Sequence, residues 1–267
     1  MIGIFDSGEG GLSVFREIHK LLPDERYIYF ADNAFCPYGE KTADFIIERS
    51  RTITRLLLSR GARIIVVACN TATGAAIATL RWEFPVKFIG MEPAVKPAAL
   101  STRTGVIGVL ATAGTLRGSK YLMSRSRFED DVRIVENVGK GWVELVEDGI
   151  LEGPAAEETV RASLQPLLDE GADNIVLGCT HYPFLLDVIR KVVPPDVTVI
   201  DPAPAAARHL LTVMEEEGLL GGRSAAGVLS EAARRETEAG PLPRPDIELL
   251  SSGDPTPLYR IFNRLYA

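Results

Sequence analysis

The sequence predicts an α/β protein of mostly parallel, doubly wound sheets, divided into two similar domains. Two observations carry that expectation. Short β-branched runs alternate with amphipathic stretches from one end of the 267 residues to the other, the pattern of successive βα units. One such unit also occurs twice: Gly61-Ala62 leads through an apolar strand to Cys69, and Gly171-Ala172 does the same to Cys179, at a constant offset of 110 residues.

The elements follow in order. Apolar runs predict strands at Ile2–Phe5, Tyr27–Ala31, Arg63–Ala68, Lys87–Met91 and Gly105–Leu110. Four more are expected at Arg133–Glu136, Asn174–Leu177, Val197–Ile200 and Ile247–Leu250. Nine strands are many for one sheet, which is a second reason to divide them. The stretch Gly218–Pro245, rich in Gly, Ala, Pro and alternating charge, reads as a surface helix with loops. A closing helix is expected near Pro257–Tyr266, returning with the last strand to the first domain.

Composition narrows the function classes. A 46% hydrophobic, 24% charged chain builds an ordinary globular core. Its net charge of −7 disfavours nonspecific binding to nucleic acid or an acidic membrane surface. No apolar run approaches the roughly 18 residues of a membrane span, and Met1-Ile2-Gly3-Ile4 leads straight into a strand, so a cytoplasmic protein is expected. Cys36, Cys69 and Cys179 are too few for a disulfide scaffold and show no CxxC zinc spacing, and no metal site is expected.

In open α/β sheets ligands bind beyond the carboxyl ends of the strands, where loops and helix N-termini gather. The polar motifs of this chain stand there. Asp6-Ser7-Gly8-Glu9-Gly10-Gly11 follows the first strand, Pro37-Tyr38-Gly39 the second, Cys69-Asn70-Thr71 the third, Thr112 to Thr115 the fifth and Cys179-Thr180-His181 the seventh. Each is read as beginning a helix, so backbone N–H groups and hydroxyls converge on one place suited to carboxylates.

Rival readings bear on the same residues. The glycine run resembles a dinucleotide fingerprint with Asp32 as its ribose acid, but the third glycine position is Ser13, and Asp6 and Glu9 would repel a pyrophosphate. A lone Cys at a strand end is ordinarily a small buried hydrophobe. Two of them, each at a helix start where the dipole favours thiolate, point instead to chemistry or to a redox dithiol. Neither is followed by the Arg of a Cys-phosphatase loop, since those positions are Ala75 and Leu185. Cys36 is read as packing only, because no acid or His follows it within a turn; His19 and His209 take core or solvated roles. His181, two residues after Cys179, is the histidine placed for function.

Taken together, Phe5-Asp6-Ser7-Gly8 with Gly10-Gly11, Pro37-Tyr38-Gly39, Ala68-Cys69-Asn70-Thr71-Ala72, Glu92-Pro93, Ala111-Thr112 with Gly114-Thr115, and Gly178-Cys179-Thr180-His181-Tyr182-Pro183 resemble the glutamate racemases, cofactor-independent amino-acid racemases. The likeness runs in order from residue 2 to Ser252-Gly253-Asp254. It implies two flavodoxin-like domains with the active site in the cleft between them, residues 1–95 plus 207–267 forming the first and 96–206 the second. It further implies interconversion of L- and D-glutamate without cofactor, supplying D-glutamate for peptidoglycan.

By the resemblance Cys69 serves the D enantiomer and Cys179 the L enantiomer. Asp6 assists Cys69, and His181 assists Cys179 with Glu147 behind it. Ser7, Pro37, Tyr38, Gly39, Asn70, Thr71, Thr112, Thr115 and Thr180 hold the substrate. Two bases are the direct way to remove a proton from one face of Cα and deliver one to the other, and thiols near pKa 8.5 serve as either acid or base. A homodimer is compatible with the likeness. Two departures stand out: Ala31-Asp32-Asn33-Ala34-Phe35 replaces the family's Gly-Asp-Thr-Ala-Arg, and the segment 140–147 lacks its Cys-Pro. Racemisation of aspartate and nonenzymatic amino-acid binding or thiol redox sensing are the alternatives.

Overall fold

The computed structural model describes residues 1–237 and 242–266. The chain opens with β1 (Ile2–Asp6), α1 (Leu12–Leu21) and β2 (Arg26–Ala31), continues through α2 (Ala43–Ser59), β3 (Ile64–Val67), α3 (Asn70–Glu83) and β4 (Lys87–Gly90), and then passes through α4 (Val95–Ser101). The middle comprises β5 (Val106–Ala111), α5 (Ala113–Arg117), α6 (Ser119–Arg125), β6 (Arg133–Val138), α7 (Trp142–Glu147) and α8 (Pro154–Asp169). Then come β7 (Asn174–Gly178), α9 (Leu186–Val192), β8 (Thr198–Ile200), α10 (Ala203–Glu216), α11 (Ala225–Thr237), β9 (Asp246–Ser251) and α12 (Thr256–Leu265).

All nine expected strands form, within a residue or two of their predicted ends, and they divide into two wholly parallel sheets. The first has the order β4-β3-β1-β2-β9 and the second β6-β5-β7-β8. The surface helix read within Gly218–Pro245 is α11; residues 238–241 of that stretch, and residue 267, lie outside the described residues.

The central strands are apolar throughout because both faces of a parallel sheet are covered. Along β1 the side chains alternate: Ile2 and Ile4 join the core under α1, while Phe5 points to the α2–α3 side with Val67 and Cys69. The core beneath α1 continues without a break into the second sheet through Leu110, Ile175 and Leu177, so the two lobes share apolar packing.

The strand orders also place the site. In each sheet the chain steps outward from one central strand in both directions, and the order reverses between β1 and β3 and again between β5 and β7. Loops at such a switch part to either side of the sheet and leave a crevice beyond the carboxyl ends. Cys69 follows β3 and Cys179 follows β7, so each cysteine stands at the crevice of its own sheet.

Candidate active site

The two crevices meet in one cavity of about 10 Å³, room for about one water. It is lined by both sulfur-bearing residues, Cys69 and Cys179, together with His181. Ser7, Pro37, Tyr38, Gly39, Asn70, Thr71, Thr112, Thr115 and Thr180 complete the wall, so every residue expected to hold a ligand is brought to it. Val143 and Gly178 line it as well, without having been anticipated. Asp6 and Glu147 are not in the wall; they stand behind it.

On the first-sheet side, Cys69 is the N-cap of α3, its sulfur accepting from the Ala72 N–H at 3.4 Å. The Ser7 hydroxyl lies 3.7 Å from the same sulfur. The expected pull of the helix start toward thiolate does not prevail. Burial, and then the negative charge of Asp6, push the Cys69 thiol up, outweighing the two hydrogen bonds. Asp6 is itself fully buried, and its Oδ2 accepts from Gly8 N at 3.3 Å and Gly11 N at 3.1 Å, which folds the loop after β1 around it. The Thr180 hydroxyl reaches Asp6 Oδ1 from the other lobe at 3.4 Å.

On the second-sheet side the sequence expectation needs correction. Cys179 does not begin an α-helix: the chain makes a tight turn, closed by Tyr182 N on the Cys179 carbonyl at 3.2 Å, and then a single 3-10 turn over Tyr182–Leu185 before α9. Pro183 in that turn has no N–H to extend a regular helical ladder back to Cys179. The partner of Cys179 is a side chain instead. Its sulfur is 3.7 Å from His181 Nδ1, and His181 Nε2 meets Glu147 Oε1 at 2.5 Å.

Burial alone would depress His181, but hydrogen bonds to Cys179, Cys36 and Glu147 and the Glu147 charge raise it well above its ordinary value. Burial pushes Glu147 up, yet bonds and charge from His181 together with bonds from Glu9 bring it down to about 2. The pair is therefore an imidazolium against a carboxylate, with an N–H facing the Cys179 sulfur.

Cys36 corrects a second expectation. It is not packing alone, for its sulfur lies 3.9 Å from Glu147 Oε1 and within 4.8 Å of a His181 ring nitrogen. The acid and the histidine come from 111 and 145 residues downstream, which a search within one turn could not find. Burial pushes its thiol up to about 11. Cys36, Glu147 and His181 bring three ligand atoms within 4.8 Å of one another, the one such group among the described residues. The 2.5 Å between Nε2 and Oε1 is a hydrogen bond, shorter than the roughly 3.3 Å between two ligands of one tetrahedral zinc. The spacing of that pair is therefore that of a hydrogen bond.

Apart from His181 and the cysteines, the polar residues of the wall are uncharged. The hydroxyls of Thr71, Thr112 and Thr115 form a triangle with sides of 2.9, 3.1 and 3.0 Å that joins the lobes. Asn70 is buried, and neither its Oδ1 nor its Nδ2 finds a protein partner. Asp32, the rival ribose acid, is taken: its carboxylate is fully buried, paired with Arg49 at 2.6 and 2.9 Å and accepting from the Tyr38 hydroxyl. Phe35, where the family has its arginine, lies under that same Arg49, 4.4 Å from ring centre to guanidinium carbon. His19 is a core residue, as read, its Nδ1 2.8 Å from the Tyr266 hydroxyl.

A family model for Asp/Glu/Hydantoin racemase matches residues 2–210. A glutamate racemase of Methylococcus capsulatus is 51% identical over 227 residues, 85% of this chain and 84% of the relative. Among solved structures, the glutamate racemase isoform RacE1 of Bacillus anthracis superposes with a TM-score of 0.82 at 29% identity, over 99% of this chain and 92% of the other. That of Francisella tularensis, in complex with D-glutamate, gives 0.78 at 25% identity, again over 99% and 92%.

Proposed function

The chain belongs to the Asp/Glu/Hydantoin racemase family, and from that premise we propose how its cleft works: it interconverts L-glutamate and D-glutamate, with Cys69 and Cys179 moving protons on opposite faces of Cα. The observation that carries the assignment is that both sulfurs, contributed by equivalent strand ends of two sister sheets, line one cavity. For L-glutamate, the Cys179 thiolate takes the Cα proton while the Cys69 thiol supplies one to the opposite face. For D-glutamate the roles reverse. A thiol held high by burial is ready as the donor, and the His181–Glu147 pair stands behind the acceptor.

The hard part is the acidity of Cα in an α-amino carboxylate. Donors fixed before the reaction, in a site without bulk water, stabilise the developing enolate. Asn70, the three threonine hydroxyls, Thr180 and the loop amides of Ser7 and Gly39 are the groups we assign to the ammonium and the two carboxylates. Asp6 supports Cys69 by ordering the loop that carries Ser7. We take residues 1–95 with 207–267 as one lobe and 96–206 as the other, acting in the cytoplasm to supply D-glutamate for peptidoglycan, with a homodimer as the assembly to test by light scattering.

In deuterium oxide, L-glutamate incubated with the protein is expected to lose its circular dichroism and gain deuterium at Cα. Unchanged rotation with no label would end the reading. Cys69→Ser and Cys179→Ser should each lose nearly all turnover, and wild-type turnover in either would remove the two-thiol assignment. Because one methylene is worth only about 1–3 kcal/mol of discrimination, the panel includes aspartate.

A further inference from the structure

Glu9 lies on the loop after β1 and is completely buried, yet the racemisation scheme gives it no task. Its backbone N–H donates to Glu147 Oε1 at 3.2 Å across the interface of the lobes. Its own Oε1 accepts from Asn33 Nδ2 at 3.1 Å. Its Oε2 is buried and receives no N–H or O–H donor. The Glu147 carboxylate is the acidic group that the Glu9 amide already contacts, and two carboxylates can bond only when one of them carries a proton. Glu147 already accepts from His181 Nε2 and from the Glu9 amide, so the proton belongs on Glu9.

We infer that Glu9 is a positioning residue for the Cys179 side of the reaction, a protonated acid that donates to Glu147 and so fixes the Glu147–His181 pair behind the sulfur. The observed contacts run from the Glu9 amide to Glu147, from Glu147 to His181 and from His181 to Cys179. Its outer end is anchored as firmly. Asn33, which stands where the family has threonine, gives its second amide hydrogen to the Asp254 carbonyl at 2.7 Å, and its Oδ1 accepts from the Ser251 hydroxyl at 2.7 Å and Gly253 N at 2.9 Å. The returning C-terminal segment thereby holds Asn33, Asn33 holds Glu9, and Glu9 holds the dyad.

The surroundings favour the neutral form. Glu9 is faced by the carboxylates of Glu147 from α7 and, more remotely, the phenol of Tyr29 on β2, with His181 the charge of opposite sign. Asp6 on β1 and Cys36 share the same cluster through Glu147 and His181, and the Arg260 guanidinium of α12 is spent on the Glu147 backbone carbonyl. Burial and then the Glu147 carboxylate raise Glu9 to about 8. Below that pH it carries the proton it donates. Above it the proton leaves, and a second charge presses on Glu147.

The inference rests on the reading of Cys179 as a base, and the test separates the two. Glu9→Gln keeps a donor for Glu147 and an acceptor for Asn33 but cannot ionise, whereas Glu9→Leu removes both bonds. We expect kcat/KM to fall by less than about fivefold in Gln and by on the order of thirtyfold or more in Leu. The fall is the same from either enantiomer, because their equilibrium constant is one. Wild type should step down in kcat/KM near pH 8, and Glu9→Gln should not.

The pH dependence of Cys179 alkylation by iodoacetamide, read by mass on the Cys179 peptide, needs no turnover and should show the same break in wild type and lose it in Gln. Survival of the break in Gln, or equal behaviour of Leu and Gln, overturns the inference. If Leu does not fold, the Gln profiles decide. A protein without racemisation but with the Gln-sensitive break would sink the substrate reading and leave this one standing.

Discussion

Asn70 is where the cost to stability and the proposed binding of a ligand meet in one residue. Its amide is buried at the first turn of α3 with neither oxygen nor nitrogen bonded to protein, and each such orphan costs about 1–3 kcal/mol. The neighbouring threonines do not relieve it, since they bond to one another. A carboxylate and an ammonium on one small molecule would satisfy both ends of the amide at once. Asn70→Ala removes both orphans at a helix position where alanine is the best former, so the melting temperature should hold or rise. At the same time the KM for either enantiomer should increase by about tenfold or more. A variant that melts lower and binds glutamate as before would show that Asn70 serves the fold.

At the scale of elements, the loop after β1 is built to let the second lobe come close. A Cβ on Gly10 would stand 2.2 Å from His181 Nδ1, and one on Gly8 would stand 2.4 Å from Glu147 Oε1. His181 can retreat only by straining its contacts with Cys179 and Glu147, which hold both its nitrogens. Gly10→Ala should therefore displace the imidazole by a fraction of an ångström to an ångström and lower kcat/KM by about a hundredfold. Far-ultraviolet circular dichroism should stay that of the wild type, and full turnover in this variant would mean that the His181 geometry does not matter.

These same elements show what sequence could and could not reveal. The nine strands were legible because a strand covered on both faces must be a short apolar run, as Ile64–Val67 is. The wall of the cavity was legible because ligands gather at the carboxyl ends of parallel strands, a rule that needs no contact map. The roles of Cys36 and Glu9 were not, since each depends on Glu147, 111 and 138 positions away, and nothing local marks a residue for a partner across the cleft. The turn after Cys179 was misread because the likeness to Cys69 extends through the strand and stops at Pro183.

For the molecule as a whole, the decisive quantity is the closed volume. About 10 Å³ between the lobes accepts one water and no amino acid, so glutamate enters only after the sheets move apart. Beside the apolar packing that the lobes share, specific bonds join them: the Ser13 hydroxyl on the Thr180 carbonyl at 2.8 Å, Thr180 on Asp6, the threonine triangle, and the Glu9 amide on Glu147. The neutral bonds among these are worth only about 0.5–1.5 kcal/mol net each and those to the two carboxylates about 1.5–3, so opening must also part the apolar packing that the lobes share.

A reporter for that motion is built in. Of the two tryptophans, Trp82 is exposed, while Trp142 is buried on α7 one residue from Val143 of the cavity wall, its ring centre 4.7 Å from that of Tyr182. In Trp82→Phe protein, the fluorescence change on mixing with D-glutamate should report Trp142 alone. If the closed form predominates and must open first, the observed rate will level off at high glutamate at the opening rate. A rate that keeps rising linearly with glutamate would mean that the free protein spends most of its time open, and that closure follows binding.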